Sequence, residues 1–427
     1  MAEYRITGGR PVSGEVTISG NKNAALPCLA ATLLTDEEVH LSNVPDIEDV
    51  RVMIDLLKRL GSSVVQTDSH TYTIKSGSRS GELSRDLVEA IRGSILLLGP
   101  MLTTVGRVDI TPPGGDVIGL RRLDTHLWGL KALGASFAIE DDLITLQAQE
   151  LPLTAGEIFL DEASVTATEN VIMAASLAKG NSTIINAACE PHVQDLCKML
   201  ILMGCPIKGI GSNRLSIEGQ GRLGGCSFRL GSDYMETGSF IGLAAATGGE
   251  LLLKGVDIEH LQMIELGFER IGITFEQRGP SSIWVPRTQS RELVKEVSGH
   301  TGKIADGPWP AFPADLLSIL TVTATQMHGS ILIHEKMFES RMYFVDYLIR
   351  MGADIILCDP HRAVVNGPSR LYAATVTSPD VRAGMALVIA AACAQGESII
   401  QNIYQIERGY EQLCTKLTDI GVAVERR

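Results

Sequence analysis

The chain is poor in the features that mark several large protein classes. Its 427 residues carry 37 Lys and Arg against 50 Asp and Glu, a net charge of -13. That balance excludes a general nucleic-acid or anionic-membrane surface, which needs clustered cations. Any anionic ligand must then be held by local basic residues. Long apolar runs are missing too, because Gly, Thr or charged residues interrupt each one before it reaches membrane-spanning length. The opening stretch MAEYRITGGR has no apolar signal core. A soluble, cytoplasmic protein without membrane insertion is the expectation. None of the eight cysteines forms a C-x-x-C pair, and Cys28, Cys393 and Cys414 fall in apolar, helix-like runs. A disulfide or zinc framework is therefore not expected.

What the chain has is apolar residues, 45% of the total, and a repeated phrase. Six times an apolar residue followed by glycine closes an amphipathic stretch: Leu60-Gly61, Leu133-Gly134, Met203-Gly204, Ile271-Gly272, Met351-Gly352 and Ile420-Gly421. The glycines are spaced by 73, 70, 68, 80 and 69 residues, so the chain reads as six copies of a unit of about 70 residues. In the last copy Ile406, Tyr410, Leu413, Cys414, Leu417 and Ile420 predict a helix with one buried stripe. Val50, Met53, Ile54, Leu57 and Leu60 predict its counterpart in the first copy. Short β-branched runs, VHLSNV from Val39, STIIN from Ser182 and SILIH from Ser330, read as strands.

A second kind of helix is apolar on nearly every side: FIGLAAA from Phe240, NVIMAASLA from Asn170 and MALVIAAACA from Met385. Such helices are buried all round. Gly180, Gly248, Gly329 and Gly396 follow these runs where left-handed C-caps are expected. The polar residues that differ between copies gather at or near the starts of these helices: Lys22 and Asn23, Arg92, Ser164 and Thr166, Glu236, Asp315, and Asp380 with Arg382. Helix N-termini present free N–H groups, which suits an anion.

In this setting SGNKNAALP from Ser19, PPGGDVIGLRRLDTH from Pro112, SVTATEN from Ser164, WPAFPADL from Trp309, SPDVRAG from Ser378 and IERGYE from Ile406 resemble, in order and from end to end, the UDP-N-acetylglucosamine enolpyruvyl transferase (1-carboxyvinyltransferase) family of the EPSP synthase superfamily. The resemblance implies an α/β fold of two inverted, inside-out barrels, three repeats in each. One domain would span residues 22–230 and carry the Asp116 loop. The other would join 1–21 to 231–427 through a double-stranded hinge near 20–22 and 229–232.

It also implies transfer of the enolpyruvyl group of phosphoenolpyruvate to the 3-hydroxyl of UDP-N-acetylglucosamine, with no metal or organic cofactor. Lys22, Asn23, Arg121, Arg382 and Arg408 would hold phosphoenolpyruvate. Asn23, Arg92, Arg121, Leu123, Asp124, Ser164, Val165, Thr166, Asp315 and Met337 would hold the nucleotide sugar, and Glu190 and Arg341 match positions near the ligands. Asp315 matches the general base, and Lys22 and Asp380 join the catalytic set. Asp315, Asp380 and Asn23 are equally readable as helix caps. Asp116 stands where most members have cysteine, and is readable either as a proton-donating acid or as a turn residue. A carboxylate there predicts insensitivity to the epoxide fosfomycin, which alkylates that cysteine.

Glu48 and Glu162 replace lysines of familiar members, and Ala314 replaces a threonine. His126 and His334 show no partner pattern and are read as structural, and Arg85 and Arg222 as surface ion pairs. Two other functions remain open: a shikimate 3-phosphate transferase, and a non-catalytic nucleotide-sugar-binding paralogue. Oligomeric state is not legible.

Overall fold

The computed structural model describes residues 2–79, 83–115, 119 and 121–427. It is an α/β protein that divides into two compact units. The first comprises Gly20–Gly115 and Arg121–Gly231; the second comprises the N-terminal segment up to Ser19 and Ser232–Arg427. Among the described residues each unit contains three small sheets.

The sheets are completed by strands from distant parts of the chain. In the second unit Glu3–Thr7 lies antiparallel between Glu397–Gln401 and Ala423–Arg426. Ser13–Thr17 runs parallel to Glu250–Lys254, and in the first unit Cys226–Arg229 runs parallel to Val39–Ser42. Each pairing buries one face of alternate apolar residues, as with Tyr4 and Ile6, or Val39 and Leu41. The strands expected at Val39, Ser182 and Ser330 are present as Val39–Ser42, Asn181–Ile185 and Gly329–His334.

The all-round apolar runs are core helices. In the second unit Tyr234–Thr247, Ala314–Ala324 and Val381–Cys393 pack against one another. Two glycines let the first two approach: a Cβ on Gly238 would lie 2.7 Å from Leu316, and one on Gly242 would lie 2.6 Å from Ile319. In the first unit the corresponding helices are Lys22–Ala31, Leu98–Val105 and Val165–Ser176.

Two local expectations are corrected. Of the four proposed glycine caps only Gly248 occupies a left-handed C-cap, with φ +69°. The other helices end at Leu177, Thr325 and Ala394, so Gly180, Gly329 and Gly396 turn the chain a few residues later. The stripe from Ile406 to Ile420 is buried on one side but is not one helix. It is split into Tyr404–Glu407 and Leu413–Asp419, with Gln412 at φ +48° between them. Side-chain periodicity survives such a break, whereas the backbone hydrogen-bond ladder does not.

Candidate active site

The first unit assembles a cationic set. Asn21, not Asn23, caps the helix Lys22–Ala31: its backbone is extended and its Oδ1 accepts from the Ala24 N–H at 3.1 Å. Asn23 is left in the first turn, partly buried, with no cap to make. Lys22 Nζ lies 2.6 Å from Asp49 Oδ2, a carboxylate that is 4% exposed. Sequence reasoning passed over Asp49, whose only local signal is its place in the first turn of the helix Glu48–Arg59. Glu48 beside it is more exposed and lies 3.5 Å from Arg51.

Arg92 opens a short 3-10 helix and is held by carbonyls: its Nη2 donates to Arg121 O at 3.1 Å and to Arg122 O at 3.4 Å. Its Nε is buried without a partner among the described residues. Burial, and then the charge of Arg121, push the guanidinium down to about 10. Gly115, at φ +107°, packs so closely that a Cβ would sit 2.7 Å from the Arg92 Cβ, so this glycine is needed for close approach. Leu123 and Asp124 stand at the start of the helix Asp124–Ala132, the first partly buried and the second exposed. Asp116, next after Gly115, lies outside the described residues.

Ser164 caps the helix Val165–Ser176, its Oγ accepting from Ala167 N–H at 3.4 Å. Thr166 in the first turn contacts His126, Oγ1 to Nε2 at 3.1 Å, and the other ring nitrogen of His126 meets Asn170 Nδ2 at 3.0 Å. His126 is thus held in the fold by two side chains, in keeping with its structural reading. It is 1% exposed, and burial, followed by Arg92 and Arg121, pushes it down to about 3. Its partners are 40 and 44 residues away, beyond any local pattern. Glu162 is exposed, and Glu190, at the N-cap of Pro191–Leu202, is partly buried.

The second unit assembles a carboxylate within arginines. Asp315 lies inside the first turn of Ala314–Ala324, whose N-cap is Pro313, so it makes no cap. Its Oδ1 is 2.7 Å from Arg341 Nη2 and its Oδ2 is 3.3 Å from Arg382 Nε. Burial pushes this carboxyl up, but Arg341 and Arg382 outweigh burial and hold it well below the usual carboxylate range. The clamp leaves donors over: Arg341 Nε and Nη1, and Arg382 Nη1, are buried without partners. Arg341 also stacks 4.9 Å over Phe338, and Arg382 lies 5.1 Å over Tyr410.

Asp380 does cap a helix, its Oδ1 accepting from the N–H groups of Arg382 at 2.8 Å and Ala383 at 2.9 Å. Capping therefore fixes the turn that carries Arg382. Arg408 is buried, its Nη1 donating to Gln405 at 3.0 Å. Ala314 is buried at the first position of its helix. Met337 is 39% exposed at a turn held by two buried acids: its N–H donates to Glu335 Oε1 at 3.2 Å and to Asp306 Oδ2 at 3.3 Å. Sequence reasoning missed this acid pair. His334 Nδ1 has no partner, while Arg85 and Arg222 pair with Glu89 and Glu37 on the surface.

Among the described residues no group of three His, Cys, Asp or Glu could hold a metal ion, and no helix is long and apolar enough to cross a membrane. What the two sets offer chemically is anion binding by buried donors and one carboxylate able to exchange a proton.

Comparison with known proteins agrees with this chemistry. Residues 6–417 match the family model for EPSP synthase (3-phosphoshikimate 1-carboxyvinyltransferase). A UDP-N-acetylglucosamine 1-carboxyvinyltransferase of Borreliella burgdorferi is 53% identical over 100% of this chain and 99% of its own length. One from Bradyrhizobium diazoefficiens is 49% identical over 99% and 98%. Among solved structures, the enolpyruvyl transferase NikO from Streptomyces tendae superposes with a TM-score of 0.87 at 22% identity, covering 100% of this chain and 98% of that one. EPSP synthase from Acinetobacter baumannii gives 0.77 at 17%, with both chains fully covered. The full-length identity, shared by several such relatives, places the chain in the UDP-N-acetylglucosamine 1-carboxyvinyltransferase family, within the EPSP synthase group of enolpyruvyl transferases.

Proposed function

We propose that the protein transfers the enolpyruvyl group of phosphoenolpyruvate to the 3-hydroxyl of UDP-N-acetylglucosamine and releases phosphate. The relatives' names support this acceptor over shikimate 3-phosphate. The observation that carries the reaction is the Asp315 carboxylate clamped by Arg341 and Arg382, with three further guanidinium nitrogens buried beside it and unpaired among the described residues. Buried, preoriented guanidinium donors suit a phosphate or a carboxylate.

In the clamp Asp315 is a weak base. When the phosphate and carboxylate of phosphoenolpyruvate draw on Arg341 and Arg382, the clamp relaxes and the proton affinity of Asp315 rises. Asp315 then takes the proton of the sugar 3-hydroxyl as its oxygen bonds to C2 of phosphoenolpyruvate, and an acid protonates C3. The tetrahedral adduct loses the C3 proton and expels phosphate. Lys22, Asn23, Arg121 and Arg408 complete the phosphoenolpyruvate site. Asn23, Arg92, Arg121, Leu123, Asp124, Ser164, Val165, Thr166, Asp315 and Met337 hold the nucleotide sugar, and Asp380 keeps Arg382 in place.

Asp116 is the acid in this scheme, so turnover has an acid-shifted pH profile relative to Asp116→Cys; identical profiles overturn the assignment. Fosfomycin forms no adduct, because a carboxylate is a poorer nucleophile than a thiolate, and a mass shift on the Asp116 peptide would refute that. We further take the two units as the family's inverted barrels of three repeats each, joined by a double-stranded hinge near 20–22 and 229–232. The protein acts in the cytoplasm at the start of peptidoglycan synthesis. The deciding experiment measures phosphate release from phosphoenolpyruvate with UDP-N-acetylglucosamine and shikimate 3-phosphate offered separately. Release with the nucleotide sugar alone is expected; release with neither would leave a binding protein.

A further inference from the structure

The contacts around His126 determine more than its packing. Asn170 Oδ1 accepts from the Gly99 N–H at 2.7 Å, and its Nδ2 donates to Ile95 O at 2.9 Å. Flipping the amide would set oxygen against the Ile95 carbonyl, so the orientation is locked. The same Nδ2 faces His126 Nδ1 at 3.0 Å. An N–H on Nδ1 would meet another N–H, so Nδ1 is the acceptor and the ring's one proton sits on Nε2. A second ring proton is opposed by burial and by Arg92 and Arg121.

The Nε2–H therefore donates to Thr166 Oγ1 at 3.1 Å. Among the described residues the Thr166 hydroxyl makes no other hydrogen bond, so its own proton must point elsewhere. Thr166 stands in the first turn of Val165–Ser176, next to the cap Ser164 and the free N–H groups of that helix end.

We propose that His126 is a positioning residue that, locked by Asn170, makes the Thr166 hydroxyl a one-way donor toward a diphosphate oxygen of the nucleotide sugar. The inference rests on the reading above that Ser164, Val165 and Thr166 hold the diphosphate. A freely rotating hydroxyl could accept or donate; this one has its acceptor side occupied and its donor side reserved for an anion. The arrangement adds affinity for the nucleotide sugar and leaves the enolpyruvyl chemistry untouched.

A double-mutant cycle tests it. Thr166→Val should raise KM for UDP-N-acetylglucosamine about tenfold, the effect of losing a hydrogen bond to a charged group, with kcat and KM for phosphoenolpyruvate within about twofold. His126→Asn, which removes the donor at Nε2, should raise the same KM several-fold. His126→Gln, which keeps an amide N–H near that position, should recover most of the loss. The variant with both Thr166→Val and His126→Asn should be no worse than Thr166→Val alone. Additive losses, or a His126→Asn effect on kcat with KM unmoved, would overturn the positioning role while leaving the diphosphate reading intact. An unchanged KM in Thr166→Val would overturn that reading and this inference together.

Should the His126 variants not fold, nitrogen NMR of the wild-type imidazole decides. The expected state is protonated at Nε2 only, with no titration across roughly pH 5 to 9 and a shift of the Nε2 signal when UDP-N-acetylglucosamine binds. A proton on Nδ1 would sink the proposal.

Discussion

Arg341 and Arg382 in the second unit and Arg92 in the first are compensated in opposite ways. In the second unit Arg341 and Arg382 are matched to the carboxylate of Asp315 at 2.7 and 3.3 Å, and both guanidiniums are held above their ordinary range because the acidic neighbours and Tyr410 outweigh burial. In the first unit Arg92 has, among the described residues, only carbonyl acceptors for its hydrogen bonds, and burial together with Arg121 pushes it down. A matched set is stable without ligand and contains its own base. A guanidinium left with carbonyls alone carries a desolvation cost that an incoming anion relieves. On the function proposed above, the Asp315 clamp serves proton transfer and Arg92 serves the nucleotide sugar.

The largest test of that contrast removes the base. Asp315→Asn should lower turnover by about a thousandfold, within the usual range for general-base loss, as measured by phosphate release at saturating substrates. Nucleotide-sugar affinity should change far less than turnover, because the asparagine keeps the side chain's size and the other residues proposed to hold the sugar are unaltered. A residual rate within about tenfold of wild type would assign the base elsewhere.

The next test compares the arginines as structural elements. Arg341→Ala leaves Asp315, whose side chain is 27% exposed, to Arg382 alone and should cost about 2 kcal/mol in ligand-free stability. Arg92→Gln removes a charge that among the described residues donates only to carbonyls, so stability should hold or rise while KM for the nucleotide sugar increases. Urea denaturation of both variants without ligand gives the two values. Equal destabilisation would erase the distinction between the units.

How far this contrast was legible depends on the distance over which each feature is encoded. The core helices and the strands announce themselves through composition and period, and the basic residues through motifs that keep their spacing. The partners did not. Asp49 on Lys22, Asn170 on His126 and Arg341 on Asp315 each join separate elements. Nothing in a local window distinguishes a carboxylate that meets a cation from one that faces water. Asn21 and Asn23 show the same limit at short range. Both asparagines precede or open one helix, and only the backbone angles decide which of them caps it. The break at Gln412 was hidden because a split helix can keep its apolar stripe.

The smallest test concerns buried groups that are neutral. Burial, then the hydrogen bond and charge of Asp306, push Glu335 up to about 9, so the folded second unit holds a proton there that the unfolded chain releases near its ordinary value of 4.5. Stability supplied by that proton is complete below 4.5 and is lost as pH rises toward 9. His126 in the first unit has the opposite sign. Its folded value near 3 lies below the ordinary 6.5, so its contribution is complete above 6.5 and is lost as pH falls toward 3. Glu335→Gln should therefore flatten the stability profile above 6.5, where only its own window runs, and His126→Gln should flatten it below 4.5; between these limits the two slopes oppose each other. Denaturation midpoints from pH 3 to 9, a range set by those two windows, would show it. A Glu335→Gln profile parallel to wild type would mean that the Asp306 and Glu335 pair binds no extra proton, and that the turn carrying Met337 is held by charge alone.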